Sequence, residues 1–394
     1  MALEKMDNEL ILMVALLLSL SLLGLFSKST TKDEMLVGES VLRKSFLFNI
    51  DNKLENFTII VLPDTQYYSE KYPWIFDNQT RWVVENIEKL NIVFVSHLGD
   101  LVQNWDSINE WENANRSMSV LDGNVPWGVL PGNHDGFYGN LTNYNNYFAY
   151  ERFSDESWYG GAYQSNNTNS YQLFQGGNND YLIFHLQYMP TQNMLSWASD
   201  VIDRYPGTKV IVTIHDYLHS SSDSQQSEIG ETVWQKLIKP HASQVFLVLC
   251  GHSFWYNDER AIIETVNGNV VYQLLANYQN RTNGGNGWLR ILEFSPRNKK
   301  IFVKTYSPYL NKFETDTNSQ FVLDYDIPDS NDGLTHLQFF SAFVIIGGGF
   351  VFIILFLRKR GKKITKCIGQ IQRILFRLHD TFSCRISVLS FSPA

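Results

Sequence analysis

The hydrophobic pattern of this chain switches period repeatedly between residues 57 and 250. Short apolar runs stand at Phe57–Leu62, Ile92–Val95, Trp127–Leu130, Tyr181–Leu186, Lys209–Ile214 and Val245–Leu249. Runs of this length, bounded by turn residues, predict buried strands. Segments of helical period lie between them. Asp77 is placed to cap a helix running to about Leu90, with Trp82, Val83, Ile87 and Leu90 on one face. Further helices are expected near Ser107–Leu121, Asn193–Arg204 and Glu231–Ile238, and Asn143–Phe153 reads as helix or loop. After residue 250 the helices stop. Ala261–Thr265, Val270–Leu275, Trp288–Phe294 and Ile301–Thr305 read as antiparallel strands, the first two joined by an Asn267-Gly268 hairpin turn. Alternation followed by strands predicts a layered α/β sandwich, with ligands near the carboxyl ends of its strands.

Two longer apolar runs frame this pattern. Leu10–Phe26 carries no charge and has the length of a signal-peptide core or short N-terminal anchor, although Glu4, Asp7 and Glu9 outnumber Lys5 before it. Phe339–Leu357 is uncharged, about as long as a bilayer core is thick, and stops against Arg358-Lys359-Arg360. A buried core helix would leave that basic stop unexplained. The organisation expected is a signal or anchor (1–27), a stalk (28–54), a folded domain (55–310), a juxtamembrane extension (311–337), a transmembrane helix (338–357) and a basic cytoplasmic tail (358–394).

Charge sharpens this reading. The whole chain is −8, but residues 358–394 hold nine Lys/Arg against Asp380, which leaves −16 for the rest. An acidic body offers no evident nucleic-acid-binding surface. The tail repeats Ile364, Ile368, Ile371, Leu375 and Leu378 between basic residues, which fits either a basic amphipathic helix on membrane lipid or an unstructured basic tail. Positive-inside orientation puts the body outside the cytosol, extracellular or luminal, and six Asn-X-Ser/Thr sequons lie there, at Asn56, Asn78, Asn115, Asn140, Asn166 and Asn280. Cys250 is the only cysteine of the body, so no disulfide can form within it.

Candidate chemistry collects at the strand ends: Asp64 and Gln66, Asp100 and Asn104, Asn133 and His134, His215, and His252. Five strands would each deliver a polar side chain to one edge of one sheet. Carboxylate, carboxamide oxygen and imidazole suit Mn, Fe, Mg or Zn, and no thiolate is among them. His97 reads as a structural strand-end residue, and Asn104 as a loop-ordering or phosphate-contacting residue or else a simple turn former. The aromatic group Trp105, Trp111, Tyr144, Tyr147, Phe148, Trp158 and Tyr159 reads as core.

In its ordered motifs the chain resembles the calcineurin-like metallophosphoesterases. Asp64-Thr65-Gln66 stands for the family's Asp-X-His, and Gly99-Asp100 with Asn104 for its second block. Gly132-Asn133-His134-Asp135 is intact, a strand ends in His215, and Gly251-His252-Ser253-Phe254 stands for Gly-His-X-His. The resemblance implies a sandwich of two mixed β-sheets flanked by helices, here with a C-terminal transmembrane helix added. It also implies two divalent metal ions. Asp100 would bridge them, Asn133, His215 and His252 would complete one site, and Asp64 and Gln66 would serve the other. Phe254 replaces a ligand of that second site, which is therefore expected to be weaker and oxygen-rich, better suited to Mn or Mg than Zn. His134, held by Asp135, would contact the phosphate and assist the leaving oxygen, with Asn104 a further substrate contact. The implied activity is hydrolysis of a phosphoester by metal-activated hydroxide. The alternative is a metal-binding ectodomain that has lost catalysis along with the last histidine.

Overall fold

The computed structural model describes residues 55–325 other than 178, 221–225 and 255–258. The two long apolar runs, the stalk and the basic tail lie outside the described residues. Among those described, no helix is long and apolar enough to cross a membrane.

Strand β1 (Phe57–Leu62) leads into α1 (Gln66–Lys71) and α2 (Pro73–Glu85), followed by β2 (Ile92–His97), α3 (Ile108–Met118) and the short β3 (Trp127–Gly128). The chain then crosses to a second sheet. There it forms β4 (Tyr159–Ala162), β5 (Asn169–Gly176), β6 (Asn179–Leu186), α4 (Gln192–Arg204), β7 (Lys209–Ile214), α5 (Glu228–Val233), β8 (Val245–Cys250), β9 (Glu259–Val266) and β10 (Asn269–Ala276). It returns to the first sheet with β11 (Leu289–Ser295), β12 (Lys300–Ser307), β13 (Lys312–Glu314) and β14 (Phe321–Asp324).

The first sheet runs β13-β12-β11-β1-β2-β3, with β14 also on β12, and the second runs β4-β5-β6-β7-β8-β10-β9. Both are mixed. β1, β2 and β3 are mutually parallel, as are β6, β7, β8 and β10, while β11 and β9 pair antiparallel to β1 and β10. The central strands are apolar throughout because both their faces are covered. Phe57, Ile59, Val61 and Phe94 of one sheet meet Ile183, Ile211, Leu247 and Leu249 of the other in the middle layer. Outside, Ile75, Phe76 and Trp111 cover the first sheet, and Leu195, Val201 and Leu237 cover the second. The expected α/β sandwich of two mixed sheets with flanking helices is the observed one.

Several local expectations change. Asp77 caps nothing: the helix begins at Pro73, which needs no hydrogen-bonded N–H in the first turn, and Asp77 instead accepts from Ser117 Oγ at 2.6 Å. Thr191 and Ser227 cap α4 and α5 through their side chains. The Asn267-Gly268 turn is present, both residues at positive φ, and β10, paired with β9 along its whole length, also pairs in parallel with β8 on its other edge. Trp111, Tyr144 and Phe148 are core residues.

A polar bridge crosses the middle layer. Ser96 of β2 bonds the imidazole of His185 on β6 at 2.9 Å, and the other ring nitrogen meets Gln172 Oε1 at 2.7 Å. Burial, with a smaller contribution from His97, pushes His185 down to about 3. The folded chain therefore keeps it neutral, whereas an unfolded chain protonates it below about pH 6.5. Between those values the unfolded state binds more protons, so stability falls as pH falls, by about 1.4 kcal/mol per pH unit. Denaturant titrations of His185→Gln between pH 6.5 and 4.5 should show a slope shallower than wild type by about that amount; equal slopes would contradict the assignment.

Candidate metal centre

The site residues come from both sheets, not from one edge of one sheet. Asp64, Asp100 and Asn133 follow β1, β2 and β3, while His215 and His252 follow β7 and β8. The ligand atoms of Asp64, Asp100 and His215 all lie within 4.8 Å of one another, and the three side chains are buried.

The backbone is bent to make this possible. Asp64, Asp100 and His252 all hold positive φ, at 39°, 54° and 65°. Such values cost non-glycine residues of order 1–3 kcal/mol and persist only where surrounding structure enforces them. Glycines supply the room. A Cβ on Gly132 would lie 2.2 Å from Asp100 Oδ1, and one on Gly251 would lie 2.1 Å from Asp64 Oδ2.

His215 sits at the centre. Its Nδ1 faces the Leu98 carbonyl at 2.8 Å, which places the proton there and turns the Nε2 lone pair inward. Around Nε2 stand Asn133 Oδ1 at 3.0 Å, Asp100 Oδ2 at 3.3 Å and His252 Nδ1 at 3.3 Å. A positive charge among these lone pairs relieves their repulsion. In the metal-free chain a proton supplies it. Burial opposes charging of His215, but Asp100 and Asp64 outweigh it and hold the group up to about 10. Asp100 is held down to about 2, burial again opposing and the His215 charge prevailing. Asp64 is pushed well up, first by burial and then, among the charges, by Asp100. A divalent cation would replace the proton and neutralise both carboxylates.

The donor set fits such a cation, as does an orphaned atom. Gln66 is buried, its Nε2 bonds Asp100 Oδ2 at 3.0 Å and also Gln279 Oε1, and its own Oε1 has no partner. A buried carboxamide oxygen without a partner costs about 1–3 kcal/mol unless something else satisfies it.

His134 reaches the same cluster differently. Its backbone N–H donates to Asp100 Oδ1 at 2.9 Å, and its ring Nδ1 is 3.0 Å from the Gln103 carbonyl. With the proton on Nδ1, Nε2 is the atom able to exchange a proton with a ligand. Asp135 does not hold this ring, contrary to expectation. Its carboxylate accepts from the N–H groups of Leu101, Val102 and Gly132 at 2.7, 3.0 and 2.8 Å, tying the second and third motif loops together. Burial, reinforced by Asp100, pushes it up to about 7. Asn104 bonds Glu110 through both its backbone N–H and its Nδ2, so the structure shows a residue that orders its own loop. His97 joins Thr65 Oγ1 at 2.9 Å and accepts from Gly99 N, a structural strand-end role.

Three residues at the site carry no motif signal. Glu110 pins the loop after β2. Tyr188, two residues past β6, sets its ring 6.1 Å from that of His215 and 5.7 Å from that of His252. Gln279 follows β10. The available signal was that these strands, too, end at the carboxyl edge.

With this geometry in hand, the sequence comparison is decisive. Residues 57–256 match the calcineurin-like phosphoesterase family, just over half of the chain. This chain belongs to the calcineurin-like phosphoesterase family, whose members hydrolyse phosphoester bonds. It is 38% identical over 286 residues to the uncharacterized protein YvnB of Bacillus subtilis (strain 168), a match covering 69% of this chain but only 22% of that one. Among solved structures it is similar to purple acid phosphatase PPD1 from yellow lupin (Lupinus luteus) seeds, with a TM-score of 0.46 and 15% identity over 70% of this chain and 55% of that one. It is also similar to a dimetal phosphatase from Danio rerio, with a TM-score of 0.45 and 12% identity over 68% and 99%. Both structural likenesses are slight.

The close approach at Gly132 yields a test of the centre. Gly132→Ala should displace the Asp100 carboxylate and weaken Mn binding at least about tenfold, roughly 1.4 kcal/mol, in calorimetric titration of the metal-depleted chain. Wild-type affinity in this variant would show that Asp100 does not serve the cation.

Proposed function

We propose that the domain is a metal-dependent phosphoester hydrolase displayed on the non-cytosolic face of a membrane. The observation that carries the catalytic part is the buried convergence of Asp64, Asp100 and His215 where the carboxyl ends of both sheets meet. Asn133, His215 and His252 with Asp100 form one ligand set, and Asp64 and Gln66 with Asp100 form the other. The donor set suits Mn, Fe, Mg or Zn, and its Asp64/Gln66 side favours Mn or Mg. When bound, divalent cations supply charge neutralisation for the phosphate and acidify water enough to provide a nucleophile near neutral pH.

The remaining work belongs to the chain. The Gln103 carbonyl holds Nδ1–H of His134, which leaves Nε2 as the exchanging atom; in the imidazolium form Nε2–H donates to the departing oxygen and passes its proton there, returning the ring to the neutral Nδ1–H tautomer. Asp135 keeps the loops bearing Asp100 and His134 in register. Tyr188 walls the pocket beside His215 and His252.

Turnover of an aryl phosphodiester by the Mn-loaded full chain should vanish on chelation and return on adding Mn. His134→Ala should lower kcat about 10²–10⁴-fold at unchanged metal content. Unaltered kcat in that variant would refute the assignment of His134, and no turnover by wild type would favour the non-catalytic ectodomain.

The membrane part rests on the uncharged run Phe339–Leu357, its basic stop and the +8 tail. The sequon asparagines Asn56, Asn78, Asn140, Asn166 and Asn280 are exposed, whereas Asn115 is partly buried and accepts from Arg152. Protease added to intact cells should remove the domain and spare a C-terminal epitope; the reverse pattern would overturn this topology.

A further inference from the structure

The weak point of the second ligand set is position 254, where Phe254 offers no donor. The structure brings a different donor to the same side. β10 lies beside β8 in parallel, with Leu275 opposite Cys250, so residues 277–279 leave the sheet alongside residues 251–254. Two residues there are side-chain amides, Asn277 and Gln279, and both are buried. Asn277 Oδ1 accepts from the Gln279 backbone N–H at 3.0 Å, which fixes the turn and aims the Gln279 side chain at Gln66. Gln279 Oε1 meets the terminal amide of Gln66, and that amide is also 3.0 Å from Asp100 Oδ2.

The orientation of the Gln66 amide decides what this cluster is. With Nε2 between the two oxygens, Gln66 donates two hydrogen bonds but leaves its own Oε1 buried and unpartnered. Rotated by half a turn, the amide presents Oε1 to Asp100 Oδ2 and Gln279 Oε1 instead. Nitrogen and oxygen of a carboxamide are exchangeable in this way, and the surroundings select between them. Three oxygens without a proton among them repel, and a cation reverses that.

We propose that the Gln279 carboxamide oxygen is a protein ligand of the second cation, standing in from β10 for the histidine missing at position 254. The site then comprises Asp64, Gln66, Asp100 and Gln279, all oxygen donors. Such a set prefers hard cations such as Mn or Mg and discriminates against Zn relative to the histidine-containing partner site. The inference rests on the two-cation reading of the domain.

The test is Mn titration of the metal-depleted full chain, read by metal content and by low-temperature electron paramagnetic resonance, which separates a coupled Mn pair from isolated Mn. Wild type should take up two Mn per chain with a coupled spectrum. Gln279→Ala should keep one Mn, weaken the second at least about tenfold and lose the coupling. Gln279→Glu, which keeps size and adds charge, should tighten the second site. Two Mn at wild-type affinity with coupling intact in Gln279→Ala would overturn the proposal. If that variant does not fold, an unchanged or weaker second site in Gln279→Glu overturns it equally. His215→Ala separates this inference from the reading beneath it. A wild-type chain that binds one Mn, lost in His215→Ala, refutes the two-cation reading and the Gln279 ligand with it but leaves the His215 site standing, whereas two coupled Mn in Gln279→Ala refute Gln279 alone. A wild-type chain that binds none refutes the His215 site as well.

Discussion

The structure is organised around a repulsion. Asp64 and Asp100 bring buried carboxylates within 4.8 Å of each other, with His215 between them. At that separation two like charges in a protein interior cost on the order of 4 kcal/mol. No isolated strand or loop would hold them there, and an apolar replacement would fold more easily. A positive charge at its centre relieves that repulsion: Asp100 and Asp64 hold the His215 imidazole up to about 10, and a divalent cation would serve in the same way. The cluster is thus electrostatically suited to a cation.

Everything nearby serves that approach. Three of the site residues adopt left-handed backbone, and Gly132 and Gly251 lack the Cβ that would block the carboxylates. Asp135 stitches the second and third motif loops through three backbone N–H groups, and Glu110 holds the loop after β2. The cost of strain and desolvation is offset by the two-sheet core. Phe57, Phe94, Ile183 and Leu247 fill its middle layer and keep the carboxyl ends of the two sheets facing each other.

Much of this was legible from residue order. Apolar runs that end in Asp64, Asp100, Asn133, His215 and His252 mark parallel strands and their functional edge, because period and turn chemistry are local properties. Helix starts were less legible. Asp77 looked like a cap, yet Pro73 opens the helix and Asp77 is spent on Ser117, a partner forty residues away that no window contains. β5 pairs beside β6 with apolar and polar residues mixed, so its run carried no clear period.

The chain by itself determined which residues are candidates for chemistry, the alternation that builds the sandwich, and the charge asymmetry of its C-terminal end. Only tertiary structure decided how the site divides. It drew the candidate residues from two sheets where the strand order suggested one, gave His134 to the Gln103 carbonyl rather than to Asp135, and set Tyr188 beside His215 and His252 and Gln279 beside Gln66. The physical reason is that a motif records sequence neighbours, whereas a cation site is a point in space. Side chains from the loops after β6 and β10 come near that point because parallel strands end together, and nothing in their own sequence announces it.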